Sequence, residues 1–298
     1  MTDEILRLAA GIKVLEGWSG TPERLGGLTN RVWRLGEAIL RVPGEGTQAY
    51  INRAHEAVAA RAAAAAGVAP EVLYFDAASG LMVTRRVPDA VTMTPEGFAT
   101  RTGAPARAAS ALRQLHRSGQ TFPARFELFA MIDSYLGLLS GKDVALPAGY
   151  HAVVHEAGAV KRALAAHPAP LVPCHCDPLC ENFLDTGERM WIVDWEYSGM
   201  NDPMWDLGDL SVEGNFDADQ DAALLYAYFD GPPGPQDHAR MVIYKAMCDL
   251  LWTLWGLIQL ADGNTADDFR AYADTRFARC ASLMSSAAFS RHLAVLAD

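Results

Sequence analysis

The pattern of apolar and polar positions in the first ninety residues predicts short strands with one helix between them. Apolar runs at 32–35, 38–42, 72–75 and 80–84 are separated by turns that contain glycine or aspartate, as in antiparallel hairpins. Residues 51–66 are rich in alanine, contain no glycine or proline, and are followed by Gly67, so they predict a helix.

From about residue 105 onward the apolar positions recur at helical spacing. Helices are predicted at 107–117, 126–140, 150–166, 219–229, 239–260 and 266–285, and strand character returns only between 171 and 194. The change in pattern near 88–104 predicts a hinge. We therefore expect an α+β protein with a small sheet-rich N-terminal lobe, 1–88, and a larger, mainly helical C-terminal lobe, 89–298.

Composition narrows the classes of molecule that the protein is expected to bind. The chain has 298 residues, half of them hydrophobic, and a net charge of −11, which argues against a nucleic-acid partner. The longest apolar segment, 250–261, is shorter than the ~20 residues that cross a membrane, so no membrane span is expected.

The first residues lack a secretory signal, and the five cysteines are few and odd in number. These features favour a reducing, cytoplasmic location.

The segment from Pro173 to Tyr197 carries the candidate chemistry. His175 and Asp177 form a His-x-Asp pair, Asn182 follows, and a predicted strand ends in Asp194-Trp-Glu196. A turn at 185–187 between two short strands brings Asn182 and Asp194 side by side. Carboxylate and amide oxygens suit Mg²⁺, and a carboxylate free of metal can accept a proton from a hydroxyl. The sequence thus predicts a magnesium site beside a general base.

Zinc is the alternative at the same place. Cys174, His175, Cys176 and Cys180 lie within seven residues of one another. Structural zinc sites usually combine two separated pairs of ligands, and the sequence offers no second pair. Adjacent side chains on a strand also point in opposite directions.

The order His-x-Asp-x4-Asn followed by Val-Asp-Trp-Glu resembles the protein-kinase-like superfamily, and most closely its choline/ethanolamine kinase and aminoglycoside phosphotransferase branch. The resemblance implies a protein-kinase-like fold that binds ATP and Mg²⁺ between the lobes. It implies that Asp177 is the catalytic base and that Asn182, Asp194 and Glu196 hold the metal. His175 and Asp206, the latter in an Asp-Pro-x-x-Asp-Leu element, would support the loop.

One residue departs from the choline-kinase pattern. Cys176 stands where that branch commonly has Asn, and a thiol does not replace a carboxamide as donor and acceptor. Cys180 is also unusual for this loop.

The resemblance extends to the expected nucleotide site. The turn before residue 31 resembles the glycine turn over the phosphates, with a plain hairpin turn as the alternative; it contains Gly27, Leu28, Thr29 and Asn30. Arg41 lies on the strand where most kinases have Lys, and its guanidinium can pair with phosphates. Glu56 would be its partner on the following helix, unless it is a solvated surface residue.

The acceptor pocket is expected in the C-terminal lobe. Trp252 and Trp255 are three residues apart, so a helix places them on one face. Tryptophan faces attract quaternary ammonium groups, although paired Trp residues in a plain core are the alternative. Tyr272 would close a third wall and Glu213 would supply the opposing charge, as in choline-kinase sequences.

These residues together predict a kinase that phosphorylates choline or a related small amino alcohol, a small cationic substrate. The alternatives are an ethanolamine or aminoglycoside kinase on the same fold, or a kinase-like protein that binds without catalysis. The sequence makes no prediction about oligomeric state.

Overall fold

The N-terminal lobe is built on a five-stranded antiparallel sheet. The computed structural model describes residues 2–26, 30–44, 47 and 51–297, and the sheet has the strand order β1-β2-β3-β5-β4. Helix α1 packs on this sheet, where Ile5 and Ala9 join a buried cluster with Trp33 and Leu40. The elements of this lobe are α1 (Thr2–Ala10), β1 (Glu23–Gly26), β2 (Arg31–Leu35), β3 (Ala38–Val42), α2 (Arg53–Ala65), β4 (Val72–Asp76) and β5 (Leu81–Arg85).

Five short strands and nine helices follow among the described residues. The strands are β6 (Val91–Thr92), β7 (Val172–Cys174), β8 (Phe183–Asp185), β9 (Met190–Ile192) and β10 (Gly199–Asn201). The helices are α3 (Pro95–Thr100), α4 (Ala104–His116), α5 (Leu128–Leu139), α6 (Tyr150–Ala166), α7 (Pro203–Glu213), α8 (Ala218–Phe229), α9 (Pro235–Ala261), α10 (Phe269–Met284) and α11 (Ala287–Ala297). The predicted α+β class is confirmed. The lobe boundary at 88/89 stays a prediction.

Helix α9 forms the centre of the C-terminal lobe. It is the one helix in the described part of the chain that is long and apolar enough to cross a membrane, but 83% of its apolar window is buried inside the protein. It is therefore a core helix. Gly208 of α7 lets the two helices approach closely, because a Cβ there would lie 2.9 Å from the backbone oxygen of Met241.

Two small sheets in the C-terminal lobe support the predicted site. Strands β6, β8 and β9 form an antiparallel sheet, and β10 pairs with β7. The predicted strand region 171–194 therefore contains β7, β8 and β9. The loop with the His-x-Asp pair lies between β7 and β8, and Asp194 follows β9.

Most predicted helices are present with shifted ends, but four helices were missed: α1, α3, α7 and α11. Helix α7 has ordinary start signals, since Asp202 accepts a hydrogen bond from the Met204 N–H at 3.0 Å and Pro203 is its first residue. Helix α10 begins at Phe269, not 266, because Asp268 is its N-cap and accepts from the Ala271 N–H. Helix α2 similarly begins after its cap, Asn52.

Candidate active site

Asp206 holds the loop that carries the predicted base. Its carboxylate accepts hydrogen bonds from the backbone N–H groups of His175 at 2.7 Å and Cys176 at 2.8 Å. The His116 ring nitrogen Nε2 lies 3.0 Å from the same carboxylate. Asp206 is fully buried on the first turn of α7, so one rigid helix fixes two consecutive backbone groups of the loop.

Cys176 adopts a left-handed backbone conformation, with φ of 68°. Such a conformation costs roughly 1–2 kcal/mol for a residue other than glycine. Its N–H is held by Asp206, and its carbonyl accepts from the Trp205 indole at 3.0 Å. The backbone therefore keeps the loop in place without a side-chain carboxamide at this position.

The structure does not bring the alternative zinc ligands together. The three cysteines of the loop, Cys174, Cys176 and Cys180, are free and buried. Among the described residues, Cys174 is near His116 and Asp206, and no group of possible metal ligands joins it to His175, Cys176 and Cys180. The buried position of Cys180 has no functional explanation in the structure.

Backbone hydrogen bonds tie Asp177 to the hairpin that ends in Asp194. The Asn182 carboxamide donates to the Asp177 carbonyl at 3.0 Å, and the Val193 N–H donates to the Asn182 carbonyl at 2.9 Å. His175 Nε2 lies 2.9 Å from the Val193 carbonyl oxygen. Burial lowers the pKa of His175, which favours a neutral ring that positions the loop.

Asp177 lies in a strongly acidic environment. Burial raises the pKa of its carboxyl well above the ordinary value, and the charges of Glu213, Asp194 and Glu196 raise it further, whereas Arg276 lowers it. These acidic residues belong to two different elements of the chain. Asp194 and Glu196 follow β9, whereas Glu213 ends α7. The charges of two groups of residues with different chemistry therefore act on Asp177.

The first group, called here the nucleotide-side cluster, consists of Arg41, Arg53, Glu56, Asp194 and Glu196. Carboxylate oxygens of its three acidic residues all lie within 4.8 Å of one another. Arg41 pairs with Asp194 at 2.8 Å and also forms an ion pair with Glu56. Glu56 is buried, so it is not a solvated surface residue.

Arg53 is a member of this cluster that sequence reasoning missed. Its Nη1 lies 2.7 Å from Glu56 and 2.9 Å from Glu196. The available signal was its position three residues before Glu56 on one helix. Its second partner, Glu196, is 143 residues away and left no local signal.

The described part of the predicted phosphate turn also contacts the acidic residues. The Asn30 carboxamide nitrogen lies 3.2 Å from Asp194 and 3.3 Å from Glu196. Gly27, Leu28 and Thr29 lie outside the described residues. Asp194 itself has a left-handed backbone, with φ of 69°, a conformation that is often found at functional sites.

The nucleotide-side cluster has three carboxylates and two guanidinium groups. Burial raises the pKa of Glu196 to about 7, and Asp194 and Glu56 raise it while Arg41 and Arg53 lower it. The set of closely spaced oxygen ligands with excess negative charge fits a hard divalent cation such as Mg²⁺.

The second group, called here the acceptor-side group, is aromatic. The rings of Trp252 and Tyr197 are 5.4 Å apart, and those of Trp255 and Tyr272 are 5.7 Å apart. The Trp255 indole donates to the Tyr197 hydroxyl at 2.9 Å, which joins the two pairs. We define the group as Tyr197, Trp252, Trp255, Tyr272 and Glu213. Tyr197 was missed, although it directly follows Glu196.

A glycine allows this aromatic packing. A Cβ at Gly256 of α9 would lie 2.6 Å from the Tyr272 ring of α10, so only glycine leaves room for the ring. The three aromatic residues predicted from sequence are thus brought together.

Glu213 is already paired. Arg276 of α10 forms an ion pair with Glu213 and a second one with Asp249 at 3.2 Å. The same guanidinium lies 4.4 Å from the centre of the Tyr272 ring. Glu213 therefore shares its charge with a buried arginine, and its role as the opposing charge for the substrate stays a prediction.

This two-lobed fold, with an acidic and basic cluster and an aromatic group in addition to the loop that carries Asp177, defines a phosphotransferase that acts on small-molecule alcohols. The model of the phosphotransferase enzyme family matches residues 21–244, so the chain belongs to that family. Within it, the chain is 67% identical to a choline/ethanolamine kinase family protein from Mesorhizobium loti, with a TM-score of 0.93 and coverage of 99% of this chain and 98% of that one. The predicted resemblance is confirmed.

More distant relatives agree. Choline kinase LicA from Streptococcus pneumoniae is 27% identical, with a TM-score of 0.81 and coverage of 95% of this chain and 98% of that one. Protein LicA from Haemophilus influenzae is 27% identical over 82% of this chain and 75% of its own length. An aminoglycoside 2″-phosphotransferase at 13% identity, TM-score 0.68, covering 93% of this chain and 98% of its own, shares the fold alone.

Proposed function

We propose that the protein transfers the γ-phosphoryl group of ATP to the hydroxyl of choline or a close amino alcohol. The observation that carries this proposal is that acidic residues of both groups raise the pKa of Asp177: Asp194 and Glu196 of the nucleotide-side cluster and Glu213 of the acceptor-side group. A base placed between an oxygen-rich metal site and an aromatic pocket can reach a hydroxyl held between them.

On the nucleotide side, Arg41 binds phosphate oxygens and Glu56 holds its guanidinium in place. Of the predicted phosphate-binding residues, the structure describes Asn30, which lies beside Asp194 and Glu196. The metal ligands are Asn182, Asp194 and Glu196. Mg²⁺, when bound there, supplies charge neutralisation to the phosphates.

At the reacting centre, Asp177 accepts the proton of the attacking hydroxyl. Its surroundings raise its pKa, which makes the carboxylate a stronger base once it is ionised. His175 and Asp206 keep the loop rigid through the hydrogen bonds described above. Catalysis then consists mainly of positioning and neutralisation of charge.

On the acceptor side, Trp252, Trp255 and Tyr272 surround the cationic head of the substrate. A trimethylammonium group has no N–H to donate, so aromatic faces suit it better than hydrogen-bond acceptors. Glu213 adds charge, although it shares it with Arg276. The relatives named as choline kinases support the same acceptor.

Ethanolamine is the second candidate acceptor. Mouse ethanolamine kinase 2 is 28% identical to 40% of this chain. A primary ammonium needs acceptors for its three N–H groups, and Glu213 is already engaged by Arg276. The pairing with Arg276 makes Glu213 a poorer acceptor for a primary ammonium.

A panel of acceptors tests the proposal. The purified protein is given Mg·ATP with choline, ethanolamine, kanamycin or no acceptor, and ADP release is followed. We expect the highest kcat/KM with choline. A higher kcat/KM with kanamycin, or ADP release at the same rate without acceptor, would exclude the proposed function.

A further inference from the structure

Asp209 is a buried carboxyl group next to the acceptor-side group. It lies on α7, one helical turn before Glu213, and is fully buried. Its Oδ2 accepts a hydrogen bond from the Trp252 indole N–H at 3.3 Å. Its Oδ1 has no hydrogen-bond partner among the described residues.

Two other acidic residues near the acceptor-side group, Glu213 and Asp249, are paired with arginines, whereas Asp209 is not. Glu213 pairs with Arg276, and Asp249 pairs with both Arg276 and Arg279. Asp209 forms no ion pair within the described part of the chain. A buried carboxylate without a cation is costly, so a positively charged ligand nearby stabilises it.

The electrostatic surroundings of Asp209 are also acidic. Burial raises the pKa of Asp209 well above its ordinary range, and the charges of Glu213 and Asp177 raise it further. Arg276 and the indole hydrogen bond oppose the rise without cancelling it. The surroundings of Asp209 thus carry more negative than positive charge.

Resting on the function proposed above, we propose that Asp209 is a positioning and specificity-determining residue: it fixes the Trp252 indole and supplies the negative charge that a bound choline cation neutralises. The hydrogen bond sets the orientation of the ring face. A carboxylate at the indole N–H also makes the ring more negative, which strengthens its attraction for a cation.

Asparagine at this position separates the two roles. Asp209→Asn keeps an oxygen that accepts from the indole N–H and removes the charge. A residue that only holds Trp252 tolerates this change, whereas a residue that selects cations does not.

The test compares two ligands of similar shape and different charge, choline and the neutral alcohol 3,3-dimethylbutan-1-ol. Their Kd values are measured by ligand-observed NMR on the full chain. We expect Asp209→Asn to weaken choline by about 10-fold, with less than about twofold change for the neutral alcohol, since loss of about 1.4 kcal/mol is tenfold in Kd. The ratio of the two Kd values does not depend on the fraction of protein that is folded.

Asp221→Asn is the matched control. Asp221 also contacts α7 and α9, through Ser211 at 2.5 Å and Lys245 at 2.6 Å, but it has a cation partner. We expect this variant to keep the wild-type ratio. Asp209→Ser, which retains a hydroxyl acceptor without charge, serves the same test if Asp209→Asn does not fold.

The outcomes distinguish this inference from the proposed function. If wild-type protein binds choline better than the neutral alcohol and Asp209→Asn keeps that ratio, or loses both ligands equally, the assignment of Asp209 is wrong and the function stands. If wild-type protein does not bind choline, the function fails and the inference fails with it.

Discussion

Under the proposed function the nucleotide-side cluster and the acceptor-side group bind substrates of opposite charge, and they are built differently. The first is a network of ion pairs contributed by both lobes: Arg41, Arg53 and Glu56 meet Asp194 and Glu196, which follow β9. The second comes wholly from the C-terminal lobe and consists of aromatic rings with acidic groups behind them. A polyanion is thus met by fixed cations, whereas an organic cation is met by ring faces.

The two groups should respond differently when the lobes move relative to each other. A change in the angle between the lobes would alter the nucleotide-side cluster, because its ion pairs join residues of both. The acceptor-side group is held within a single lobe by α7, α9 and α10. Substitutions in each group should therefore affect one substrate, and only Asp177 should affect both.

Asp177→Asn is expected to have the largest effect. Loss of a general base typically lowers kcat by about 10²–10⁴-fold, while affinity for Mg·ATP is retained. Steady-state kinetics together with a nucleotide-binding titration checks this. Near wild-type kcat in the variant would remove Asp177 from the reaction.

Arg41→Met removes the central cation of the nucleotide-side cluster. We expect kcat/KM for ATP to fall by roughly 10²-fold, because a preorganised cation on the phosphates is lost. Kd for choline should stay within about twofold, since the pocket is elsewhere. Arg85→Met is the control, because Arg85 lies on the neighbouring strand β5 and pairs with Glu71 at the surface. Equal loss of ATP and choline would show that the two groups are not independent.

Trp252→Ala tests the acceptor side in the same way. We expect Kd for choline to rise about 10–30-fold, a loss of about 2 kcal/mol of cation–π attraction, with a smaller change for ethanolamine. KM for ATP should change little. Trp191→Ala is the control. Trp191 lies on β9 and does not belong to the acceptor-side group, and the Arg189 guanidinium lies 4.1 Å from the centre of its ring. An equal loss for both amines would mean that Trp252 is plain core.

Asp185 is a buried carboxylate that belongs to neither group. Its substitution is therefore expected to have the smallest effect on catalysis of the changes described here. Burial tends to raise its pKa, but hydrogen bonds from Arg107 and Arg101 outweigh it and hold the pKa at about 2. Asp185→Asn should lower the free energy of unfolding by about 2 kcal/mol at pH 7 with kcat/KM unchanged.

The same residue predicts a dependence on pH. Because the folded pKa is depressed, its stabilisation is complete above the unfolded pKa of about 4 and is lost as pH falls towards 2. Urea unfolding of wild type and Asp185→Asn between pH 2 and pH 7 measures this. A difference that stays constant over the range would contradict the assigned pKa.

The sequence predicted those parts of the site whose residues are close together in the chain. Asp177, Asn182, Asp194 and Glu196 share one segment of loop and hairpin, and Trp252 and Trp255 share one helix face. The pattern could not show Arg276 pairing with Glu213, because these residues are 63 positions apart and meet only when α7 and α10 both pack against α9.

For the fold, too, local features were predicted from the sequence and elements that depend on distant contacts were not. Strands with turn signals and long periodic helices were predicted, whereas α3 and α11 were missed. Helix α3 has only six residues, too short to show helical periodicity, and Phe98 buries it in the core. For α11, Phe289 anchors the helix in the same core, a contact that local sequence does not reveal.

Phosphorus NMR of the reaction mixture tests the central claim most directly. With wild-type protein, Mg·ATP and choline, we expect phosphocholine to appear as the γ-phosphate signal of ATP disappears. ATP loss that yields only inorganic phosphate, or no ATP loss with choline while another alcohol is phosphorylated, would contradict it.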